Sequence, residues 1–195
     1  MIGATLWWYM ARSTGLIAAV LLALSLVWGI LLSTQLLKPV KRPAWVLDLH
    51  RWLGGLTVAF VALHLVGLVA DSYVDFTLES ILVPFASQWR PAAVTWGVAG
   101  LYLLAVVQIT SWSPVRARLG RRTWHALHLL SFPLLWVVAM HSGAAGTDVG
   151  NPLYTAAMFV LIGITMWVVV FRILAGTGRR KPASVSPAER PRTRV

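Results

Sequence analysis

The chain alternates between long apolar runs and short polar breaks. Five runs reach the roughly 20 apolar residues that a spanning helix needs. They cover about Gly15–Leu37, Trp52–Ala70, Ala92–Trp112, Trp124–Met140 and Leu153–Leu174, and the charged residues sit almost wholly between them. The pattern predicts an all-α integral membrane protein, a bundle of five transmembrane helices. Trp7, Trp8, Tyr9, Trp45, Trp89, Trp112 and Trp124 fall near the run ends, as an aromatic belt does. Ser13 or Thr14 is placed to cap the first helix. That first run is too long for a signal-peptide core, and no small-x-small cleavage site follows it, so it is expected to remain as a helix.

The breaks carry their own information. Between the second and third runs lies DSYVDFTLESILVPFASQWRP; its FTLESILVPF portion is expected either to lie flat at the interface or to form a lid over one end. From Gly176 onward the chain is basic and rich in proline, and a disordered tail over 176–195 is expected behind a membrane domain over 1–175. No glycine-rich nucleotide-binding loop follows a strand pattern, so no flavin or nicotinamide domain is expected within this chain.

Composition agrees with a membrane setting, since 58% of the 195 residues are hydrophobic and a soluble fold of this size needs more polar cover. The formal charge of +11 invites a nucleic-acid reading, but its distribution argues against one. Lys38, Lys41, Arg42 and Arg51 follow the first run, Arg116, Arg118, Arg121 and Arg122 the third, and a further basic group the fifth. The other two connections hold Asp71, Asp75, Glu79 and Asp148, with Arg90 the only base, and Asp71 and Asp148 are read as loop charges. That is the positive-inside pattern, and it predicts an N-terminus outside, a C-terminus in the cytoplasm, and contact with anionic lipid. The plasma (inner) membrane is the expected location. With no cysteine, thiolate metal sites, iron–sulfur clusters and thioether-attached heme are excluded. Metal chemistry here has to use histidine.

There are five histidines, at 50, 64, 125, 128 and 141. An imidazole within a spanning helix is a functional hypothesis by default. The second and fourth runs cross in the same direction, so His50 and His128 share the basic end, and His64 and His141 share the other. His50 and His64 are 14 residues apart, a rise of about 21 Å, and fall only about 40° short of four full turns. His128 and His141 are 13 apart and fall about 140° short on an ideal helix. Pro133 lies between them and can kink or rephase the helix. Two opposed imidazole pairs at two depths suit two stacked b-type hemes, each held by two histidines within a helix bundle. Arg51, Arg116, Arg118, Arg121 and Arg122 lie at the inner end for the heme propionates; Arg12 and Arg90 are the candidates at the outer end. His125, near the water interface, is expected to meet a propionate or solvent rather than iron.

The stretches HRWLGGLTVAFVALH and LHLLSFPLLWVVAMH resemble the paired-histidine helices of the ferric reductase-like transmembrane family. That family includes NADPH oxidases, ferric reductases and the heme-binding membrane subunit of a bacterial periplasmic methionine sulfoxide reductase system. ARSTGLIA, ADSYVDFTLESILVPFASQWRP and HSGAAGTD further resemble its small bacterial members, so the likeness covers roughly residues 5–175. It implies that His50, His64, His128 and His141 are axial heme ligands and that His125 is not. It also implies an electron conduit. Five spans are read here where the oxidases and the sulfoxide-reductase subunit have six.

Together these readings predict a transmembrane b-type cytochrome, the electron-transfer subunit of a membrane oxidoreductase, with Arg51 and Arg121 among its cofactor-binding residues. A cytoplasmic flavin reductase, carrying flavin on the partner protein, or quinol would donate. An outer-face protein or small molecule would accept, and nucleic acid has no part. Two other classes stand beside this one. A histidine-based proton or metal transporter would favour intramembrane carboxylates, and runs two to four contain none. In a non-redox structural membrane subunit the histidines would be packed helix-contact residues.

Overall fold

In a bilayer an apolar run has no hydrogen-bond partner but its own backbone, and helix is the local answer. A computed structural model describes residues 2–33, 44–72 and 74–177. Among the described residues there are eight helices and no strand: α1 (Ile2–Ser33), α2 (Ala44–Ala70), α3 (Leu78–Leu82), α4 (Pro91–Ser111), α5 (Ser113–Arg118), α6 (Arg121–His128), α7 (Ser131–Ala145) and α8 (Pro152–Thr177). Five stretches are long and apolar enough to cross a membrane: α1 from Leu6, α2, α4, α6 with α7, and α8 to Phe171. The protein is a multi-pass membrane bundle. The tail expected to be disordered, and Lys38, Lys41 and Arg42, lie outside the described residues apart from Gly176 and Thr177.

Helix starts follow local chemistry. Pro91 and Pro114 stand in the first turns of α4 and α5, where the missing N–H costs nothing. The side-chain oxygen of Asn151 caps α8 by accepting from the N–H groups of Leu153 and Tyr154 at 2.9 and 3.4 Å. Ser13 and Thr14, by contrast, do not cap α1. The helix starts well before them, and both hydroxyls donate back to the Met10 carbonyl at 3.2 and 2.6 Å. Hydroxyls that bond within their own helix leave it free to continue through LWWYMA.

The fourth span is broken. Pro133 has no N–H to give the Leu129 carbonyl, which accepts from Phe132 instead at 3.1 Å. Leu130 likewise donates to Leu127 at 3.1 Å, so the chain between α6 and α7 passes through a tight turn of three-residue spacing.

Packing makes two antiparallel hairpins, α1 with α2 and α4 with α6–α7; α1 also touches α7 and α8. Small residues set the first: Ala11, Ala18, Ala19 and Ala23 are buried. A Cβ on Gly67 would stand 2.9 Å from the Ala11 nitrogen. The connection between α2 and α4 packs on α4. Phe76 and Ile81 are buried against Val94 and Val98 of α4, while Leu78 and Phe85 are exposed. The Tyr102 hydroxyl, roughly 16 Å along α4 from Pro91 by helix rise, donates to the Leu82 carbonyl. Phe85, at φ 64°, donates its N–H to Thr95 Oγ1 at 2.8 Å. The segment therefore folds down along α4 as a side wall.

The close α1–α2 approach has a measurable consequence. Gly67→Val should lower the unfolding midpoint in detergent, followed by tryptophan fluorescence, with an overpacking cost of about 1–3 kcal/mol. Gly55→Val, where an added Cβ meets nothing within 4 Å, should leave it in place.

Candidate functional site

Each histidine that the sequence singled out on the two spans rests on a small residue of the neighbouring helix. His64 lies against Gly15 and His50 against Gly29, both on α1, and His141 lies against Gly97 on α4. A Cβ at these glycines would stand 2.9, 3.1 and 2.8 Å from the ring. Gly15 and Gly29 are 14 residues apart, as are His50 and His64. In an antiparallel pair the two seats therefore recur in one register.

The missing side chains also open the helix backbone to the rings. Nδ1 of His64 bonds the Ala11 carbonyl at 2.6 Å, that of His50 the Ser25 carbonyl at 3.1 Å, and that of His141 the Ala93 carbonyl at 2.9 Å. In each case the acceptor lies four residues before the glycine. A carbonyl only accepts, so Nδ1 carries the proton and Nε2 keeps its lone pair. His128 departs from the pattern: its Nδ1 meets the Ser111 hydroxyl at 3.2 Å. Ser111 stands 14 residues after Gly97, at the corresponding seat.

The rings then oppose one another in two pairs. His50 and His128 have ring centroids 6.0 Å apart at 77°, and His64 and His141 have them 6.4 Å apart at 79°. A metal bound by two imidazoles along one axis, with bonds of about 2 Å, sets the ring centres roughly 6 Å apart. The spacing fits such an ion at both levels. The Leu129–Leu130 break supplies part of the 140° phase deficit on the fourth span, because three-residue turns advance about 120° per residue rather than about 100°. Midway between the levels lies an apolar layer of Leu22, Leu104 and Leu134, with Thr57 beside them only 2% exposed.

At the His64–His141 level the rings line an apolar cavity with Gly15, Gly97, Phe76 and Trp89, and its mouth carries Arg12, Asp148 and Tyr154. Arg12 is ion-paired with Asp148 and stacks over Trp8 and Tyr9. Arg90 is engaged elsewhere, donating to the Ala144 carbonyl at 3.0 Å. At the other level the expected cations are not gathered at the histidines. Arg51 bonds Asp48 at 3.0 Å on the exposed face of α2, and Arg121 is exposed, its carbonyl accepting from His125 at 2.9 Å. Instead Arg116 lies over the Trp124 ring, 4.2 Å from its centre, and Trp124 stacks on His128 at 5.0 Å. His125 is exposed and faces no second imidazole across the bundle. Asp71, read as a loop charge, is 5% exposed, with one oxygen near the Val74 N–H and the other without a partner. Trp124, Ser111 and the glycine seats escaped the sequence reading. The matching 14-residue spacing of Gly15 and Gly29 was their one visible trace.

Fold and site together define a helical membrane protein that presents opposed, backbone-oriented imidazole pairs at two heights. The chain belongs to the ferric reductase-like transmembrane family, since residues 7–140 match the ferric reductase like transmembrane component. It is also 30% identical over 167 residues to the heme-binding subunit MsrQ of protein-methionine-sulfoxide reductase from Ralstonia nicotianae (strain ATCC BAA-1114 / GMI1000), covering 82% of this chain and 70% of that one. No solved structure matches it at a significant level.

The Arg12–Asp148 pair ties α1 to the connection before α8. A double-mutant cycle with Arg12→Gln and Asp148→Asn should return a coupling of about 0.2–1 kcal/mol that shrinks in high salt.

Proposed function

We propose that this protein is a transmembrane b-type cytochrome of the plasma membrane, with its N-terminus outside and its C-terminus in the cytoplasm. His50 and His128 hold an inner heme, and His64 and His141 an outer one. It passes electrons from a cytoplasmic flavin reductase or quinol to an acceptor at the outer face. The observation that carries this reading is the pair of ring separations, 6.0 and 6.4 Å, on imidazoles with Nδ1 turned to the protein. The relative's name, a subunit of protein-methionine-sulfoxide reductase, makes an outer reductase protein the first acceptor to test.

When bound, each heme supplies a one-electron iron couple. The chain's own residues do the rest. The carbonyls of Ala11, Ser25 and Ala93 hold the imidazoles in the tautomer that offers Nε2, and a bonded Nδ1–H raises ligand basicity. Two histidines at each level would hold a heme there with no ligand position left open, so an acceptor would exchange electrons without binding the metal. The layer of Leu22, Thr57, Leu104 and Leu134 keeps water from the space between levels. The same carbonyl bonds weigh against a proton relay, which needs both ring nitrogens free to exchange.

Purified protein should show a sharp Soret band, with split visible bands after dithionite and two hemes per chain by pyridine hemochrome. His64→Ala and His141→Ala should each remove about one heme equivalent, as should His50→Ala and His128→Ala from the other level. If all four variants kept the full heme content, the pairing would be wrong. Gly97→Val removes no ligand but drives a side chain into His141, and its heme loss should match that of His141→Ala.

A further inference from the structure

Among the described residues, two buried side-chain polar atoms lack a hydrogen-bond partner, an Asp71 oxygen and the indole nitrogen of Trp124. The second lies one helical turn before His128, in α6. The indole stacks on the His128 ring at 22° with centroids 5.0 Å apart, and it meets the edge of His125 at 4.7 Å. Arg116, from α5, stands 4.2 Å from the indole centre. Among the described residues the ion pairs are Arg12–Asp148 and Arg51–Asp48, so Arg116 has no carboxylate of its own there. A buried donor without an acceptor and an unneutralised cation thus converge on one imidazole. An N–H left unbonded in an apolar site is destabilising, and an anionic oxygen is its strongest remedy.

We infer that Trp124 Nε1–H and the Arg116 guanidinium together hold a propionate carboxylate of the inner heme. This rests on the heme reading above and refines it: the sequence offered Arg51, Arg116, Arg118, Arg121 and Arg122 for that task and singled out Arg51 and Arg121. Those two are directed elsewhere: Arg51 is neutralised by Asp48, and Arg121 is exposed. The indole is suited to the work because its stacking on His128 fixes the N–H relative to the axial ligand. A carboxylate bonded there also fixes the rotation of the macrocycle about the His50–His128 axis. A phospholipid phosphate at the inner leaflet offers similar oxygens, but it is not carried by the group that His128 binds.

The test uses the full chain purified with its hemes. Trp124→Phe keeps the stacked ring and deletes the N–H; Arg116→Gln deletes the charge. Each should speed transfer of one heme to apomyoglobin roughly tenfold, the scale of one lost charge-assisted hydrogen bond, while the second heme leaves at the wild-type rate. Trp112→Phe, at an exposed indole of the same end, should change neither. The ultraviolet resonance Raman band of the Trp124 indole, isolated by subtracting the Trp124→Phe spectrum, should move to its hydrogen-bonded position when heme is present. Loading with heme dimethyl ester should erase the difference between wild type and Trp124→Phe.

Unchanged heme release from both variants overturns the inference, and so does a difference that survives esterification, which would point to lipid phosphate. A wild-type protein without any heme defeats the functional proposal as well. Two firmly held hemes in Trp124→Phe defeat only this one.

Discussion

An imidazole placed in hydrocarbon must have its N–H bonded, and here the neighbouring helix backbone supplies the acceptor. Glycine at 15, 29 and 97 removes the Cβ that would hold a ring away, and the carbonyl four residues earlier takes the Nδ1 proton. Ring orientation is thus set by helix packing rather than by side-chain preference. This bond makes the α1–α2 register and the site one and the same feature. Sliding α1 by one residue would move both seats on it off their histidines at once.

The two hairpins leave an apolar cavity between them at the His64–His141 level. Where they do meet, at the layer of Leu22, Leu104 and Leu134, the contact lies halfway between the levels. Polar groups elsewhere in the apolar zone are satisfied locally. Thr57 and Thr165 bond the carbonyls four residues back at 2.8 Å, and Gln108 on α4 donates to the Gly54 carbonyl of α2 at 2.8 Å. The exceptions sit beside a proposed ligand, at Trp124, and at the end of α2, at Asp71.

Much of this was legible in the chain. Spanning helices announce themselves because lipid demands long uninterrupted apolar runs, and the five runs became five spans. Their ends were less legible. Ser13 and Thr14 look like caps in sequence, yet in a helix they bond their own backbone. The histidine pairing was readable from matched depths, and Pro133 was the right place to look for a change of phase. How far a broken helix rotates depends on the turn it adopts, and that is not written in the spacing. Arginine partners were the weakest inference, because a long side chain near a helix end reaches whichever carboxylate or ring packs closest.

By itself the sequence determined the number of crossings, the heights of the imidazoles and their pairing by level, because helix rise converts residue count into depth. Only the tertiary structure decided which way the rings face, which nitrogen is left for a ligand, and which donor stands without an acceptor. Those properties arise between helices, from the distance of one backbone to its neighbour, and a one-dimensional pattern carries no measure of that distance.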